Sequence, residues 1–401
     1  MRPRRNRCVV LLAIAVWLLW GVAWLRLDDG DAERRLAEAN AARRTPATPR
    51  VVFVVAQTRP SPGWCQMVAS AILSNVTVVT VGHGEKYAHT RRVFWVAQYI
   101  EAAGLRDEDV VVSYDGADTL LTGALTVQRA VERFIATTAP SFENFAPEAV
   151  QRAEATAPLL FTAESNCYHP QLTGSVKWGL SKGRCISAYK RVEGFLLRQK
   201  NALVGDRRNR LHFLNAGGYV ARVWALKQAF MSYRALIRLK KLWCDQSAWG
   251  MLYLWSISRD ASVSPTVRVP FGLIGLDFHN SFFLSLHGIS LGRSIRLFSP
   301  SAIEEVVVEG KLPFPPFFEI RGVPRATPVV LHFNGIGRGG VGLREKLRNH
   351  TSWFVEAHRT EAALLKAKEG LQSDARVILH GIGGKGKEVR YSDVCRVGAS
   401  L

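Results

Sequence analysis

The sequence lacks the closely spaced cysteine pairs of a structural zinc site. None of its six cysteines belongs to a C-x-x-C pair, and zinc modules depend on such spacing. Cys167 and Cys185 are near enough in sequence to close a short loop as a disulfide, a bond worth about 3 kcal/mol on the loop-entropy estimate. Two buried free thiols are the alternative. The cysteines therefore favour a disulfide-bonded or thiol-containing fold over a zinc module.

The sequence also has few acidic residues: 33 Asp and Glu stand against 53 Lys and Arg, and the net charge is +20. Residues 1–50 and 338–401 supply half of this excess, so the charge is concentrated at the two ends. No stretch interleaves aromatic and basic residues in the manner of a nucleic-acid recognition module. We therefore expect no nucleic-acid partner, although a basic surface favours anionic ligands such as nucleotide diphosphates.

Charged residues are absent from Cys8 to Leu25, and four arginines precede this run. As a helix the run would be about 27 Å long, which is close to the thickness of a thin bilayer core. Tryptophans crowd its far end, where such rings favour the membrane interface. We predict a transmembrane signal anchor at 8–25, with residues 1–7 cytoplasmic and the remainder lumenal. The alternative is a signal peptide cleaved at the small residues 21–23.

The rest of the chain divides by composition. Residues 26–50 are rich in Ala, Arg and Glu and predict a stem. From residue 51 to 337, strands alternate with helical segments, which predicts one α/β domain with a mainly parallel twisted sheet. Residues 338–401 form a C-terminal extension with an amphipathic helical piece near 355–370, and its role is not predicted. Glycosylation patterns at Asn75 and Asn349 suit a location in the membrane of the Golgi or endoplasmic reticulum.

Within the α/β domain, hydrophobic periodicity predicts both strands and helices. The predicted strands are 51–56, 76–81, 109–114, 157–164, 211–214 and 328–332. The predicted helices are 64–73, 91–104, 223–240 and one that starts with Asp245 at its N-cap.

Asp115 and Asp118 follow the third predicted strand directly. Ligands gather at the carboxyl ends of parallel strands, and two neighbouring carboxylates repel each other unless a positive group lies between them. Mg²⁺ or Mn²⁺ meets that need, because both ions prefer oxygen ligands and bridge substrate phosphates. In the alternative, Asp118 caps a helix that begins near Thr119 and Asp115 is solvated.

Two other predicted strand ends carry polar side chains. His332 is followed by Asn334 and Gly335, and imidazole is an accepted ligand of Mn²⁺. Asn215 precedes a pair of glycines, which either form a tight turn or let the backbone approach a ligand. These residues strengthen the prediction of a metal and phosphate site at the sheet edge.

Nine segments, in order, resemble the glycosyltransferase domain at the amino end of procollagen lysyl hydroxylases, a GT-A type nucleotide-sugar fold. They cover about residues 51–335 and read VVFVVAQT, TVVTVGHGEKY, RRVFWVAQYI, YDGADTLLTG, LLFTAESNCYHP, FLNAGGYV, CDQSAWGMLYL, GLDFHNSFF and VVLHFNG. The resemblance implies a metal-dependent glycosyltransferase that transfers a hexose from a UDP-sugar to a protein or glycan acceptor. A non-catalytic sugar- or nucleotide-binding protein on the same fold is the alternative.

The resemblance also implies site residues. In the family, a D-x-x-D pair and a later histidine hold Mn²⁺ and the UDP diphosphate, which corresponds to Asp115, Asp118 and His332. Trp95 matches an aromatic residue near the nucleotide, and Asp245 matches an acid of the sugar and acceptor pocket. The donor side further includes Arg92, Asn334 and Gly335. The acceptor side includes Asn215 and Gln246, although Gln246 could equally be a surface residue.

The sequence departs from the family in ways that leave the acceptor open. Ala117 stands where the family has an aromatic residue, Phe333 replaces a glycine, and a run of acids is reduced to Asp245. Nothing in the chain corresponds to the dioxygenase domain, so lysine hydroxylation is not expected. Asp277 either faces the acceptor cleft or only organises a turn, and Arg338 either reaches a phosphate or is solvated.

Overall fold

The structure is a computed structural model that describes residues 48–171, 182–198, 202–204, 211–259, 261–309, 316–321, 327–335, 340–381 and 386–399. The chain divides into two compact units, Met1–Pro49 and Arg50–Leu401. The predicted anchor and almost all of the predicted stem lie outside the described residues. In the described ranges, no helix has the length and apolar character that crossing a bilayer requires.

The second unit is built on β-strands, which form three sheets in the part of the chain that the structure describes. The strands are β1 (Val51–Ala56), β2 (Val78–His83), β3 (Val110–Asp115), β4 (Thr119–Leu121), β5 (Leu159–Glu164), β6 (Phe213–Arg222), β7 (Ile274–Asp277), β8 (Phe283–Ser285), β9 (Ile295–Leu297), β10 (Phe318–Ile320), β11 (Val330–His332), β12 (Arg376–Gly381) and β13 (Gly386–Arg390).

The largest sheet has eight strands in the order β13-β12-β2-β1-β3-β6-β5-β7. β12, β2, β1 and β3 run parallel to their neighbours in that series, and β5 is parallel to β7. β6 runs antiparallel to both β3 and β5, and β13 is antiparallel to β12. The prediction of an α/β fold with a large, mostly parallel sheet is confirmed.

The helices pack on this sheet and beside it. They are Pro62–Leu73, His89–Ala102, Ala124–Thr137, Pro147–Gln151, Lys182–Arg198, Val223–Lys240, Asp245–Ser258, Pro300–Val308, Gly340–Arg348, Ser352–Ala357, Glu361–Glu369 and Tyr391–Val394, with short 3₁₀ or π turns at Pro265–Val267, Gly370–Asp374 and Val397–Ala399. The predicted helices are confirmed to within two residues at their ends, except that Cys244, not Asp245, is the N-cap of the fourth.

Two hydrophobic cores lie on opposite faces of the large sheet. In β1, Val54 joins one core while Phe53 and Val55 join the other, because successive side chains of a strand point to opposite faces. β3 alternates in the same way between Val111 and its neighbours. Strands buried on both faces read as continuous apolar runs, which is why the sequence revealed them.

A three-stranded sheet, β4-β11-β8, stands next to the end of β3. β4 pairs antiparallel with β11, so that Thr119 lies opposite His332. The alternative in which a helix begins near Thr119 is therefore wrong. Residues 119–121 instead pair with β11 through backbone hydrogen bonds, and no local sequence pattern indicates that pairing.

Two other predicted elements differ from the structure. The sequence predicts a strand at 211–214 that ends before the glycine pair. In the structure, β6 continues through this pair to Arg222. A bulge lies where the register of β6 against β5 shifts. A bulge admits an extra residue without ending the strand. The amphipathic piece near 355–370 is two helices, and Thr360 caps the second by accepting from the Ala363 amide.

The C-terminal segment, defined as residues 340–399, belongs to the same compact unit. Its strand β12 adds to the large sheet beside β2, and a disulfide joins Cys395 to Cys65 on the helix Pro62–Leu73. A second disulfide joins Cys167 to Cys185, which confirms that predicted pair. Cys244 is a buried free thiol.

Candidate functional site

The predicted metal ligands converge. The Nε2 atom of His332 lies 3.5 Å from Oδ2 of Asp115 and 3.5 Å from Oδ2 of Asp118. One ligand atom from each residue falls within 4.8 Å of the other two. Asp115 ends β3, Asp118 directly precedes β4, and His332 ends β11. The pairing of β4 with β11 thus brings the histidine to the two aspartates.

The imidazole of His332 lacks partners of its own. The residue is 2% exposed, and neither ring nitrogen has a hydrogen-bond partner among the described residues. At 3.5 Å, its contacts to the two carboxylates are longer than N–H···O hydrogen bonds. A buried polar atom without a partner costs about 1–3 kcal/mol. Two carboxylates and an orphaned imidazole fit a divalent cation such as Mn²⁺, which accepts both donor types.

Gly217 leaves the space that this cluster needs. A Cβ on Gly217 would lie 2.1 Å from Cε1 of His332 and 2.9 Å from Oδ2 of Asp115. Contacts below 3 Å force something to move, so a side chain here would displace the cluster. The glycine pair lies within β6, so the alternative of a tight turn is wrong, and approach of this backbone to a ligand stays a prediction.

Arg92 supplies a positive group next to Asp115. Its Nη1 atom donates to Oδ1 of Asp115, and its Nε atom donates to Oδ2 of Asp245 at 3.0 Å. Burial opposes the charge on Arg92, but the charge and hydrogen bond of Asp245, with contributions from Tyr87 and Tyr233, together raise the pKa of Arg92 above its ordinary value. The guanidinium therefore stays charged and ties the metal side of the site to the predicted acceptor side.

The pKa of Asp118 lies below its ordinary value. Burial opposes ionisation of this carboxylate, yet the His332 ring and the Arg344 guanidinium together lower the pKa of Asp118 below its ordinary value. Asp118 is thus available as a carboxylate ligand at neutral pH.

These residues line one cavity of about 430 Å³, a size within the range of small-molecule sites. Among the described residues that were named from the sequence as site candidates, Trp95 and Asp277 do not line it. The candidates that line it are Arg92, Asp115, Asp118, Asn215, Asp245, Gln246, His332, Asn334 and Gly335. Partly exposed aromatic rings also line it, with Tyr87 46% and Tyr168 56% exposed.

Trp95 lies in the core instead. A Cβ on Gly82 would fall 2.4 Å from Cε3 of Trp95, so the indole packs directly on the face of that glycine. The residue is 5% exposed and clusters with Val93 and Val96. Its helix, His89–Ala102, packs against β2, the strand that contains Gly82. The structure therefore does not bring Trp95 to the cavity, where the resemblance had suggested a nucleotide contact.

Glu164 is the main residue that sequence reasoning left out. Its carboxylate accepts from Nε2 of Gln246 at 2.8 Å and from Nδ2 of Asn334 at 2.9 Å. Burial raises the pKa of Glu164 to about 7, against hydrogen bonds from Asn215 and these two amides. Like Asp115, it is the last residue of a strand, and that position was the signal that could have identified it.

The contacts of Glu164 also decide the role of Gln246. Its side chain donates to Glu164, and its Oε1 accepts from the Ala216 amide at 3.1 Å. The alternative that Gln246 is a plain surface residue is therefore wrong.

Asp277 has a structural role outside the cavity. Asp277 accepts hydrogen bonds from the backbone amides of Ser281, Phe282 and Phe283, so it organises a turn and does not line the cavity. Arg338 lies outside the described residues.

No protein-family model matches this chain, and no curated protein matches it. Acidic side chains from β3, β5 and the helix Asp245–Ser258 meet a histidine and an arginine in one cavity. Such a set can bind a divalent cation together with the phosphates that it bridges, and it can hydrogen-bond to hydroxyl groups.

Proposed function

We propose that this protein is a glycosyltransferase of the GT-A type that transfers a hexose from a UDP-sugar in the presence of Mn²⁺ or Mg²⁺. The observation that carries the proposal is the convergence of Asp115, Asp118 and His332 on one side of the cavity, at the end of β3 in a mostly parallel sheet. The ordered resemblance to the glycosyltransferase domain of procollagen lysyl hydroxylases agrees with it.

The metal cluster would act on the leaving group. Asp115, Asp118 and His332 would hold the cation. When bound, it offsets the negative charge that grows on the departing UDP diphosphate. Arg92 holds the carboxylate of Asp115 in place through its ion pair. Gly335, which has a φ of 61°, closes the adjoining turn and lines the cavity next to Asn334.

Polar side chains next to the metal cluster would bind sugar and acceptor hydroxyls. Glu164, Asn215, Gln246 and Asn334 form one hydrogen-bonded network there. Asp245 is held by its ion pair with Arg92, which also pairs with Asp115. A network whose members position one another keeps its polar groups aimed at the ligand. The acceptor is a protein or a glycan.

We further propose that the enzyme is a single-pass type II protein of the Golgi or endoplasmic reticulum membrane with a lumenal catalytic domain. Two disulfides support an oxidising compartment, since such bonds are rare in the cytosol. The apolar run at 8–25 and the arginines before it supply the anchor and its orientation.

A second candidate is a non-catalytic sugar- or nucleotide-binding protein on the same fold. It is favoured by the ion pair between Arg92 and Asp245, which already occupies the acid that the resemblance puts in the acceptor pocket. Such a protein would bind a UDP-sugar without releasing UDP.

The test is UDP release by the full-length protein in detergent, with a panel of UDP-sugars and with or without Mn²⁺. We expect metal-dependent release with at least one donor. Asp115→Asn should abolish it, while Asp107→Asn, at an exposed acid that pairs with Lys227 on the surface, should leave it unchanged. Donor binding without release would favour the second candidate, and unchanged release by Asp115→Asn would remove the aspartate pair from the mechanism.

A further inference from the structure

The C-terminal segment reaches the loop that carries the two aspartates. Arg344, on the helix Gly340–Arg348, donates from Nη1 to the carbonyl of Ala117 at 3.1 Å and from Nη2 to the carbonyl of Gly63 at 3.3 Å. Ala117 lies between the two metal-ligand aspartates in sequence. We call residues Gly116–Asp118, between β3 and β4, the aspartate loop. The guanidinium therefore bridges this loop and the start of the helix Pro62–Leu73.

The loop and this helix meet at very short range. A Cβ on Gly63 would lie 1.9 Å from the Ala117 carbonyl oxygen, so only glycine allows the approach. Two carbonyl groups that face the same side need donors, and the planar fork of a guanidinium offers them in a fixed geometry. A lysine would bring the charge but not that fork.

Arg344 also contacts the strand end that carries the histidine. Its guanidinium lies over the ring of Phe333, 5.4 Å from the centroid, a cation–π arrangement. Phe333 follows His332 in sequence, and its amide donates to the carbonyl of Asp118 at 2.7 Å. One side chain thus touches the neighbours of both Asp118 and His332.

The segment is itself held firmly against β4. Nε1 of Trp353 donates to the Leu121 carbonyl at 2.7 Å, and Oγ of Ser352 donates to the Thr122 carbonyl at 2.8 Å. At the far end of the segment, Cys395 is bonded to Cys65, two residues from Gly63. The C-terminal segment, which carries Arg344, is therefore attached both to β4, next to the aspartate loop, and to the helix Pro62–Leu73.

We propose that Arg344 is a positioning residue for the cation site, and that the C-terminal segment is an integral part of that site. The proposal rests on the proposed function, since it concerns the same metal ligands. Arg344 does not line the cavity, so it acts through the aspartate loop and Phe333. Its fork sets the separation between Asp118 and His332, and the cation requires that separation.

The charge of Arg344 and its hydrogen-bond geometry predict opposite effects of its replacement on Mn²⁺ affinity. The positive charge of Arg344 by itself repels a cation, so its removal alone would tighten metal binding. Loss of the fork frees the loop, and outer partners of metal ligands are typically worth about 10–100-fold in metal affinity. If Arg344 works by positioning, Arg344→Lys and Arg344→Met should both weaken Mn²⁺ binding by at least about tenfold.

The experiment is a Mn²⁺ titration of the full-length protein without donor, followed by the electron paramagnetic resonance signal of free Mn²⁺. Arg348→Met is the matched control, because Arg348 is one turn further along the same helix and lies over Phe354 instead. It should bind Mn²⁺ as the wild type does. Melting temperatures of all variants report whether the fold survives, and Arg344→Lys keeps the charge if Arg344→Met does not fold.

Each outcome bears on the proposal. Weaker binding by Arg344→Lys in a folded protein supports it. Unchanged affinity in both variants, or tighter binding by Arg344→Met with an unchanged lysine variant, overturns it and leaves the proposed function standing. A wild-type protein that binds no Mn²⁺ overturns the proposed function and this inference together.

Discussion

Gly217 and His332 are so close that a Cβ on the glycine would lie 2.1 Å from the imidazole carbon Cε1. The two residues belong to β6 and β11, strands of different sheets. The contact therefore fixes the position of one sheet relative to the other at the point where the predicted metal ligands meet.

Gly217→Ala should damage the site through this contact. Overpacking of this kind costs about 1–3 kcal/mol, and the displaced imidazole should lower the affinity for Mn²⁺. Denaturant unfolding and a Mn²⁺ titration measure the two effects. Gly194→Ala is the control, because a Cβ there meets no described atom within 4 Å and alanine favours a helix. If Gly217→Ala unfolds and binds Mn²⁺ like the wild type, the prediction that Gly217 is needed to make room for His332 is wrong.

Glu164 should make stability depend on pH in the metal-free protein. Burial raises the pKa of Glu164 to about 7, so the folded state favours the protonated acid. Its contribution is complete below the unfolded pKa of about 4.5 and is lost as the pH rises to about 7, by up to about 3 kcal/mol. Denaturant unfolding between pH 4.5 and 7.5 should show this decline in the wild type but not in Glu164→Gln. Parallel pH profiles for the two proteins would contradict the prediction.

The disulfide between Cys65 and Cys395 should contribute strongly to stability. It closes a loop with a sequence separation of 330 residues, and native disulfides typically contribute about 2–5 kcal/mol. Replacement of both cysteines by alanine should lower the melting temperature by several degrees. In the wild type, neither Cys65 nor Cys395 should react with a thiol reagent before reduction. Labelling of either one in the native, unreduced protein would show that the bond is not formed.

Asn75 should carry a glycan if the domain is lumenal. Its side chain is exposed at the turn after the helix Pro62–Leu73, and Thr77 of the same triplet is exposed as well. Protein made in mammalian cells should shift on a gel after treatment with peptide N-glycosidase, and Asn75→Gln should reduce that shift. Asn349→Gln, made separately, controls for the second triplet. The absence of any shift in the wild type would contradict the proposed compartment.

The sequence was a good guide to the large sheet and a partial guide to the site. β1 and β3 were predictable because their valines are buried on both faces, and that burial leaves a local pattern. The ends of those strands then identified Asp115 and the family resemblance drew attention to Arg92. The sequence could not decide the position of Trp95, because an aromatic residue in a helix fits a core and a ligand site equally well. Its contact with Gly82 puts the ring in the core.

By itself, the sequence determined which residues could be ligands, because side-chain chemistry and strand ends are local properties. Only the tertiary structure decided which of them meet. Three features depend on partners that are distant in the sequence. They are the strand Thr119–Leu121, the hydrogen-bonded network around Glu164 and the hydrogen bond from Arg344 to Ala117. Such contacts arise from strand register and packing, and these are set by the burial of the whole unit and not by any short stretch of it.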